Sequence, residues 1–270
     1  YSRHSFDHKG TFGHALVIAG SYGKIGAATL SARAALRAGA GLVTVHLPKC
    51  GYEIMQIAFP EAMCQIDRHK YVFTEAPEEL APYRTIGIGP GLGQDEATAT
   101  ALRNLIKQYN RPMVFDADAL NILSKNPAWL NLLPANSILT PHPKEFERLF
   151  GKTENDFTRW DLQMAKAKEL NVIIVLKTGK TSIATPAGHL YFNSTGNPGM
   201  GTAGTGDVLT GIITGLMAQN YRPDVAAQLG VYLHGLAGDI AAEHTEQESL
   251  LASDVIKYLG AAFKKLRTNK

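Results

Sequence analysis

The chain reads NPGMGTAGTGDVLTG over residues 197–211, a run of small residues that passes directly into an apolar stretch. Glycines let backbone N–H groups converge, and the start of a helix carries about half a positive charge, so the run predicts an anion-binding turn. Asp207 lies in the first turn of that helix, where it could simply complement the helix dipole. A carboxylate beside a bound phosphate is costly unless the chemistry needs it. We therefore interpret Asp207 as a general base that deprotonates a hydroxyl while the N–H groups neutralise a transferring phosphoryl group.

Around this run, short β-branched segments alternate with Ala- and Leu-rich segments. Strands are predicted at residues 16–19, 42–46, 85–88, 113–115, 137–139 and 172–176. Helices are predicted at residues 26–38, 95–109, 143–150, 157–170, 204–219, 225–243 and 252–265. The alternation predicts an α/β fold, a mostly parallel central sheet with helices on both faces, and residues 182–192 add an antiparallel hairpin. No repeat or linker interrupts the pattern, so we expect a single domain over residues 1–270.

Composition excludes several classes of function. The 270 residues are 45% hydrophobic and 19% charged, a composition typical of a compact globular protein and not of a disordered or fibrous chain. The net charge of +3 is concentrated in a C-terminal tail, so no basic surface for nucleic acid is expected. That tail carries Lys264, Lys265, Arg267 and Lys270. No apolar run is long enough for a membrane span, and we expect a cytoplasmic protein. The chain starts at Tyr1 with no signal peptide, which leaves open whether an earlier segment was removed.

The two cysteines, Cys50 and Cys64, make no disulfide framework, and we expect both to pack as small hydrophobic side chains. Three local patterns resemble motifs of other protein classes. Residues 199–204 fit a dinucleotide fingerprint but follow a polar loop where a strand is required. Residues 179–181 resemble the end of a P-loop but lead into a strand. Residues 19–23 approximate a nucleophile elbow, which keeps a serine hydrolase as a minor alternative.

Several motifs together resemble one family. Its motifs match Gly204-Thr205-Gly206-Asp207, Gly89-Pro90-Gly91-Leu92-Gly93, residues 116–121, residues 139–146, residues 8–13 and residues 34–43. In this order they resemble the ADP/ATP-dependent NAD(P)H-hydrate dehydratases of the ribokinase-like superfamily, over roughly residues 8–265. The resemblance implies repair of hydrated NADH and NADPH, that is (S)-NADHX and (S)-NADPHX. In this reaction ADP or ATP phosphorylates the ring hydroxyl, with Asp207 as base, and phosphate then leaves by elimination.

The resemblance also implies the other site residues. Ala27, Gly91 and His142 match the substrate contacts. Close helix packing explains Ala27 equally well, and Gly91 could be purely conformational. His142 could be an ordinary loop histidine, but the resemblance favours substrate contact there. The implied nucleotide-binding residues are Lys177, Thr178, Gly179, Lys180, Thr181, Gly204, Thr205 and Gly206. Thr178 departs from the family, which usually has glycine directly after the first lysine. Glu145 is implied to organise Mg²⁺, with a place in the first turn of its helix as the alternative. Asp116 and Asp118 support metal or substrate, unless they only form an Asx turn.

Two other functions remain open. A ribokinase-like kinase for a small alcohol such as a vitamin precursor would use the same Asp207 chemistry, but would leave a stable phosphate ester. A non-enzymatic nucleotide sensor would bind nucleotide without releasing phosphate. For the dehydratase, the resemblance implies a homo-oligomer, a tetramer, that works with a separate epimerase. The sequence does not decide whether ADP or ATP is the phosphoryl donor, or whether NADHX or NADPHX is the preferred substrate.

Overall fold

The fold is a nine-stranded sheet with helices on both faces, in a computed structural model that describes residues 3–268. Tyr1, Ser2, Asn269 and Lys270 lie outside the described residues, so the tail charge expected at Lys270 is not placed. The strands are β1 (His14–Ile18), β2 (Leu42–Leu47), β3 (Met63–Ile66), β4 (Thr85–Ile88), β5 (Val114–Phe115), β6 (Ile138–Leu139), β7 (Ile173–Leu176), β8 (Ser182–Ala184) and β9 (Leu190–Phe192). The helices are α1 (Ile25–Arg37), α2 (Tyr52–Ala58), α3 (Glu96–Gln108), α4 (Ala117–Lys125), α5 (Pro143–Phe150), α6 (Asp156–Glu169), α7 (Thr205–Ala218), α8 (Pro223–Thr245) and α9 (Ala252–Thr268).

The sheet is parallel except at one edge, which confirms the predicted class. Its strand order is β3-β2-β1-β4-β5-β6-β7-β8-β9, and only the β7–β8 and β8–β9 pairs are antiparallel. Alternate residues of each strand enter opposite layers, as the strand period of two requires. Leu16 and Ile18 pack in the layer of α3, α4, α5 and α6, whereas Ala15 and Val17 pack against α1 and α2. The parallel order brings the carboxyl ends of seven strands to one edge, where ligands bind in such folds.

Helices α1 and α7 approach each other unusually closely. A Cβ at Gly211 would overlap the carbonyl oxygen of Ser31, and one at Gly215 would overlap that of Ala35. The small residues that saturate this part of the sequence therefore let two backbones pack together. This contact fixes the start of α7 against α1.

The structure corrects some local predictions. Strand β3 and helix α2 were not predicted, because β3 is a half-exposed edge strand and α2 has only seven residues, too few to show a period. Helix α4 was not predicted either; it begins at Ala117, within the motif at residues 116–121. Cys50 and Cys64 are free thiols, as expected, and both are half-buried; Cys64 packs against the core cluster formed with α1 and α2. Between residues 3 and 268 no helix combines the length and apolarity needed to cross a bilayer.

Candidate active site

The glycine-rich run forms a turn that opens helix α7, as its sequence indicates. Gly204 caps the helix with φ +88°, in the left-handed region that favours glycine. A Cβ at this position would also clash with Leu30 of α1. Thr205 steadies the turn, since its hydroxyl donates to the carbonyl oxygens of Met200 (2.9 Å) and Thr202 (3.0 Å). The first N–H groups of α7, including that of Gly206, therefore lie on a fixed backbone at the start of the helix.

Lys177, directly after β7, joins two carboxylates from other strand ends. Its Nζ lies 2.6 Å from Oδ1 of buried Asp116 and 4.0 Å from Oε2 of Glu145. Asp116 also accepts a hydrogen bond from Thr210 of α7, at 2.8 Å. A Cβ at Gly206 would lie 3.5 Å from Lys177 Nζ, so the ammonium group stands at the glycine turn. The structure thus brings together a cation, a helix start and two carboxylates predicted separately.

Asp207 has the electrostatics of a general base. Burial, and next the repulsion of Asp116, raise the pKa of Asp207 to about 6, while Lys177 opposes the shift. Its backbone carbonyl accepts a hydrogen bond from Ser31 Oγ at 3.0 Å, which holds the first turn of α7 against α1. A base is most effective when its pKa lies near the working pH. Asp207 can therefore be ionised at neutral pH and still accept a proton readily.

His142 and Glu145 form a capping box at the start of α5. His142 Nδ1 accepts from the backbone N–H groups of Lys144 (3.1 Å) and Glu145 (3.3 Å), and Glu145 Oε2 accepts from the His142 N–H at 2.8 Å. Burial lowers the pKa of His142, so its ring is neutral. Because Nδ1 accepts hydrogen bonds, the proton of the neutral ring is on Nε2. That Nε2 stands 3.4 Å from Glu145 Oε1. His142 is thus a half-buried cap, more restrained than an ordinary loop histidine.

A cavity of about 760 Å³ lies beside the glycine turn. Most of the predicted nucleotide-binding residues line it: Lys177, Thr178, Gly179, Lys180, Thr181, Thr205 and Gly206. His142 reaches the same cavity, whereas Gly204 lies behind it. Residues from the loop before α7, including Asn193 and Asn197, close its far wall.

The two remaining predicted substrate contacts, Ala27 and Gly91, lie against each other. Gly91 has φ +61°, and a Cβ there would stand 3.0 Å from the Cβ of Ala27, which lies in the first turn of α1. Ala27 precedes Ser31 by one helical turn, on the side that contacts Asp207. Asp118 accepts from the Gly93 N–H at 2.9 Å and stands 3.7 Å from Lys24 Nζ. Ala27, Gly91, Lys24 and Asp118 therefore lie together on one surface, called the hydrate cleft below, and none of them lines the nucleotide cavity.

Two residues of the candidate site, His234 and Ala117, were not predicted from the sequence. His234 of α8 lines the cavity, and its Nε2 lies 2.9 Å from the Thr205 carbonyl oxygen. Burial lowers the pKa of His234 to about 4, so the neutral ring donates this hydrogen bond. Ala117, between Asp116 and Asp118, has φ +46°, a rare backbone for alanine that turns the chain from β5 into α4. A histidine within the apolar run of α8 was the available signal for His234, and Ala117 left none.

The donor set suits Mg²⁺ carried by a nucleotide. Across the described part of the chain, no three His, Cys, Asp or Glu side chains are grouped to hold a metal alone. Asp116 and Glu145 nevertheless present hard oxygen atoms around Lys177, beside the nucleotide cavity. Mg²⁺ commonly binds through one or two carboxylates together with substrate phosphates and water. The residues present fit that mode of binding.

Comparison with known proteins shows the family. The profile of the NAD(P)H-hydrate dehydratase family matches residues 15–260. The bifunctional NAD(P)H-hydrate repair enzyme of Moorella thermoacetica is 43% identical over 95% of this chain, and the chain spans about half, 50%, of that relative's length. The ADP-dependent (S)-NAD(P)H-hydrate dehydratase of Bacillus subtilis is 35% identical over 97% of the chain and 93% of its own length.

Comparison with solved structures gives the same family. The ADP/ATP-dependent NAD(P)H-hydrate dehydratase from Bacillus subtilis, co-crystallised with ATP and Mg²⁺, superposes with a TM-score of 0.85 at 32% identity, covering 98% of this chain and 93% of that one. The hydroxyethylthiazole kinase of Pyrococcus horikoshii shares the fold alone, at TM-score 0.64 and 15% identity over 92% of this chain and 87% of that one. The fold is ribokinase-like, and the chain belongs to the NAD(P)H-hydrate dehydratase family.

Proposed function

We propose that this protein restores NADH and NADPH from (S)-NADHX and (S)-NADPHX, with ADP or ATP as the phosphoryl donor. One observation carries the proposal: Asp207, with its pKa raised to about 6, interacts electrostatically both with Lys177, which lines the nucleotide cavity, and with Asp118 of the hydrate cleft. A base in that position can act on a hydroxyl held in the cleft while the phosphates lie in the cavity. The chemistry of the family and the geometry of the chain therefore point to the same reaction.

In the proposed reaction, Asp207 removes the proton of the ring hydroxyl, and the resulting oxygen attacks the terminal phosphorus of the nucleotide. The bond from phosphorus to the bridging oxygen breaks, and ADP becomes AMP, or ATP becomes ADP. Lys177 and the N–H groups at Gly206 stabilise the negative charge that builds up during transfer. Phosphate then leaves the ring carbon as the neighbouring carbon loses a proton, which restores the double bond. Hydroxide is a poor leaving group, and phosphorylation converts it into a good one.

Mg²⁺ enters this proposal with the nucleotide. When bound, it would neutralise part of the phosphate charge. The carboxylates of Glu145 and Asp116, which flank Lys177, are the residues that would hold it. Lys180 and Thr181 would complete the contacts to the nucleotide from the loop after β7.

The test is a spectrophotometric assay with hydrated NADH, Mg²⁺, and ADP or ATP in separate cuvettes. The absorbance of reduced nicotinamide should reappear only with nucleotide, with one phosphate released per turnover, and the Asp207→Asn variant should fold but not turn over. Near-normal activity of Asp207→Asn would exclude the mechanism. If folded protein recovers no NADH with either nucleotide and instead makes a stable phosphate ester from a vitamin-like alcohol, the small-molecule kinase replaces the dehydratase.

We also propose that residues 1–270 act as one domain in a cytoplasmic homo-oligomer, a tetramer, which receives its substrate epimer from an epimerase. Support for the oligomer comes from exposed apolar side chains on α2 and β3, namely Ile54, Ile57, Met63 and Ile66. Adjacent exposed apolar groups at a sheet edge are typical of a protein interface. Light scattering on the purified chain decides between this assembly and a monomer.

A further inference from the structure

Two tyrosines stand exposed just beyond the hydrate cleft. Tyr22, in the turn after β1, is 72% exposed, and Tyr71, in the loop after β3, is 42% exposed. Their ring centroids are 5.2 Å apart and the rings are nearly perpendicular. Covering an exposed aromatic ring with an apolar or aromatic group is favourable, because it removes apolar surface from water. Two perpendicular rings offer a ligand the face of one ring and the edge of the other. This tyrosine pair has no place in the reaction described above.

The tyrosine pair sits on a rigid backbone. The Tyr22 N–H donates to the Tyr71 carbonyl at 2.9 Å, which ties the two loops together. The loop of Tyr71 is in turn held by the fully buried Asp67, which accepts from the N–H groups of His69 (2.7 Å) and Thr74 (2.6 Å). Rings held on such a framework lose little entropy when a ligand stacks on them.

The same turn connects the tyrosine pair to the hydrate cleft. Ser21 Oγ donates to the Gly91 carbonyl at 2.8 Å, so the residue before Tyr22 is fixed to the glycine that faces Ala27. Lys24, two residues after Tyr22, has a 57% exposed side chain whose Nζ stands 3.7 Å from Asp118. Asp118 also contributes to the raised pKa of Asp207, so it links the base to the Lys24 cation, and Lys24 is two residues from Tyr22.

A dinucleotide has matching parts in the same order: a reactive nicotinamide ring, a diphosphate and an adenine ring. We propose that Tyr22 and Tyr71 bind the adenine ring of the hydrated dinucleotide, and that Lys24 lies beside its diphosphate. This inference rests on the proposed function and names the part of the site that holds the non-reacting half of the substrate. Lys70 adds positive charge at the outer end, with its Nζ 5.2 Å from the centre of the Tyr71 ring.

The adenine of ADP or ATP is a different ligand with the same ring. The nucleotide cavity is lined from the loops after β7 and before α7, and none of its lining residues belongs to the turn of Tyr22 or the loop of Tyr71. The tyrosine pair is therefore assigned to the dinucleotide, and loss of the pair should leave the nucleotide KM unchanged.

Steady-state kinetics of Tyr22→Ala and Tyr71→Ala test this assignment. Stacking of a base on an aromatic side chain supports an increase of about tenfold in the KM for NADHX, with kcat and the KM for ADP retained. Tyr22→Phe keeps the ring and should behave as wild type. Phe157→Ala is the matched control, because Phe157 is 73% exposed and lies 5.3 Å from Trp160 in a similar edge contact on α6.

A truncated substrate gives a second readout. The hydrate of reduced nicotinamide mononucleotide lacks adenosine, so its kcat/KM should be equal in wild type and in the two alanine variants. Unchanged KM for NADHX in both alanine variants, to within about twofold, overturns the inference, and so does an equal loss for the truncated substrate. Failure of the proposed function looks different: the wild-type protein then restores no NADH from any hydrate with either nucleotide.

Discussion

Asp207 shows how a single carboxylate is tuned by its neighbours. The side chain is held at the start of α7, where the helix dipole favours its ionised form, yet burial and the nearby Asp116 favour the protonated form. Lys177, whose ammonium group lies 2.6 Å from Asp116, lowers the pKa of Asp207 and so opposes the effect of burial. The balance leaves the pKa of Asp207 at about 6, high for an aspartate and low enough for ionisation at neutral pH.

This balance predicts the pH dependence of turnover. Because the base must be ionised, kcat/KM should fall as the pH drops through about 6, the pKa of Asp207. Replacing Asp116 by Asn removes a negative neighbour, lowers the pKa of Asp207, and should move the acid limb by about one unit towards lower pH. Rate–pH profiles of wild type and Asp116→Asn measure both. An acid limb that stays in place, or moves to higher pH, contradicts this account of the base.

Among single residues, the sequence predicted several that the structure brings together, whereas their roles stay predictions. Asp207, Gly206 and Lys177 were identified from the glycine-rich run and from family motifs, and the structure places them within one charge cluster. His234 could not be assigned, because its contact is with a backbone carbonyl of another element. Pairings of this kind depend on tertiary geometry, which no local pattern encodes.

Among the elements, α1 and α7 are the pair on which the site depends. Gly211 and Gly215 let the two backbones touch, and Ser31 of α1 donates to the Asp207 carbonyl across the same contact. The sequence predicted α1, α5 and α7 well, since small-residue runs mark α1 and α7 and a proline opens α5. It missed α2 and β3, where a short element at an exposed edge has no period to detect.

The α1–α7 contact predicts the effect of Gly211→Ala. The added methyl group would overlap the Ser31 carbonyl oxygen, so the helices must separate, which should cost about 1–3 kcal/mol of unfolding free energy. Displacing Ser31 from Asp207 should also lower kcat. Gly260→Ala in α9 is the control, since nothing lies within 4 Å of its added Cβ; there, higher helix propensity should stabilise the protein by up to about 1 kcal/mol. Urea unfolding of both variants gives the comparison, and equal stability of the two would refute the packing argument.

For the whole molecule, the class of the sheet was predictable and its assembly in space was not. Continuous apolar strands alternating with helices indicate a parallel sheet, and the hairpin at β8–β9 was predicted at its observed bounds. The distance between the loop after β7 and the start of α7 depends on strand order, which alternation alone leaves open. The position of β5 and β6 between β4 and β7 is what brings Asp116 and Lys177 together.

Ligand binding across these strand ends should stabilise the entire fold. Binding of ADP with Mg²⁺ to the native state alone should raise the melting temperature, with a gain of about 2.7 kcal/mol at a ligand concentration one hundred times Kd. Lys177→Met removes a cation from the cavity and should abolish most of this shift. Differential scanning calorimetry with increasing ADP follows the effect. A full shift in Lys177→Met would show that the phosphates bind elsewhere.

None of the residues that define the hydrate cleft lines the nucleotide cavity, and Asp207 interacts electrostatically with Lys177 of the cavity and with Asp118 of the cleft. If the two ligands bind at these two places, we expect each to bind and leave while the other stays bound. Such an arrangement gives a random-order rate law through a ternary complex. Double-reciprocal plots should intersect, and isotope exchange between each product and its parent compound should require all the other reactants to be present.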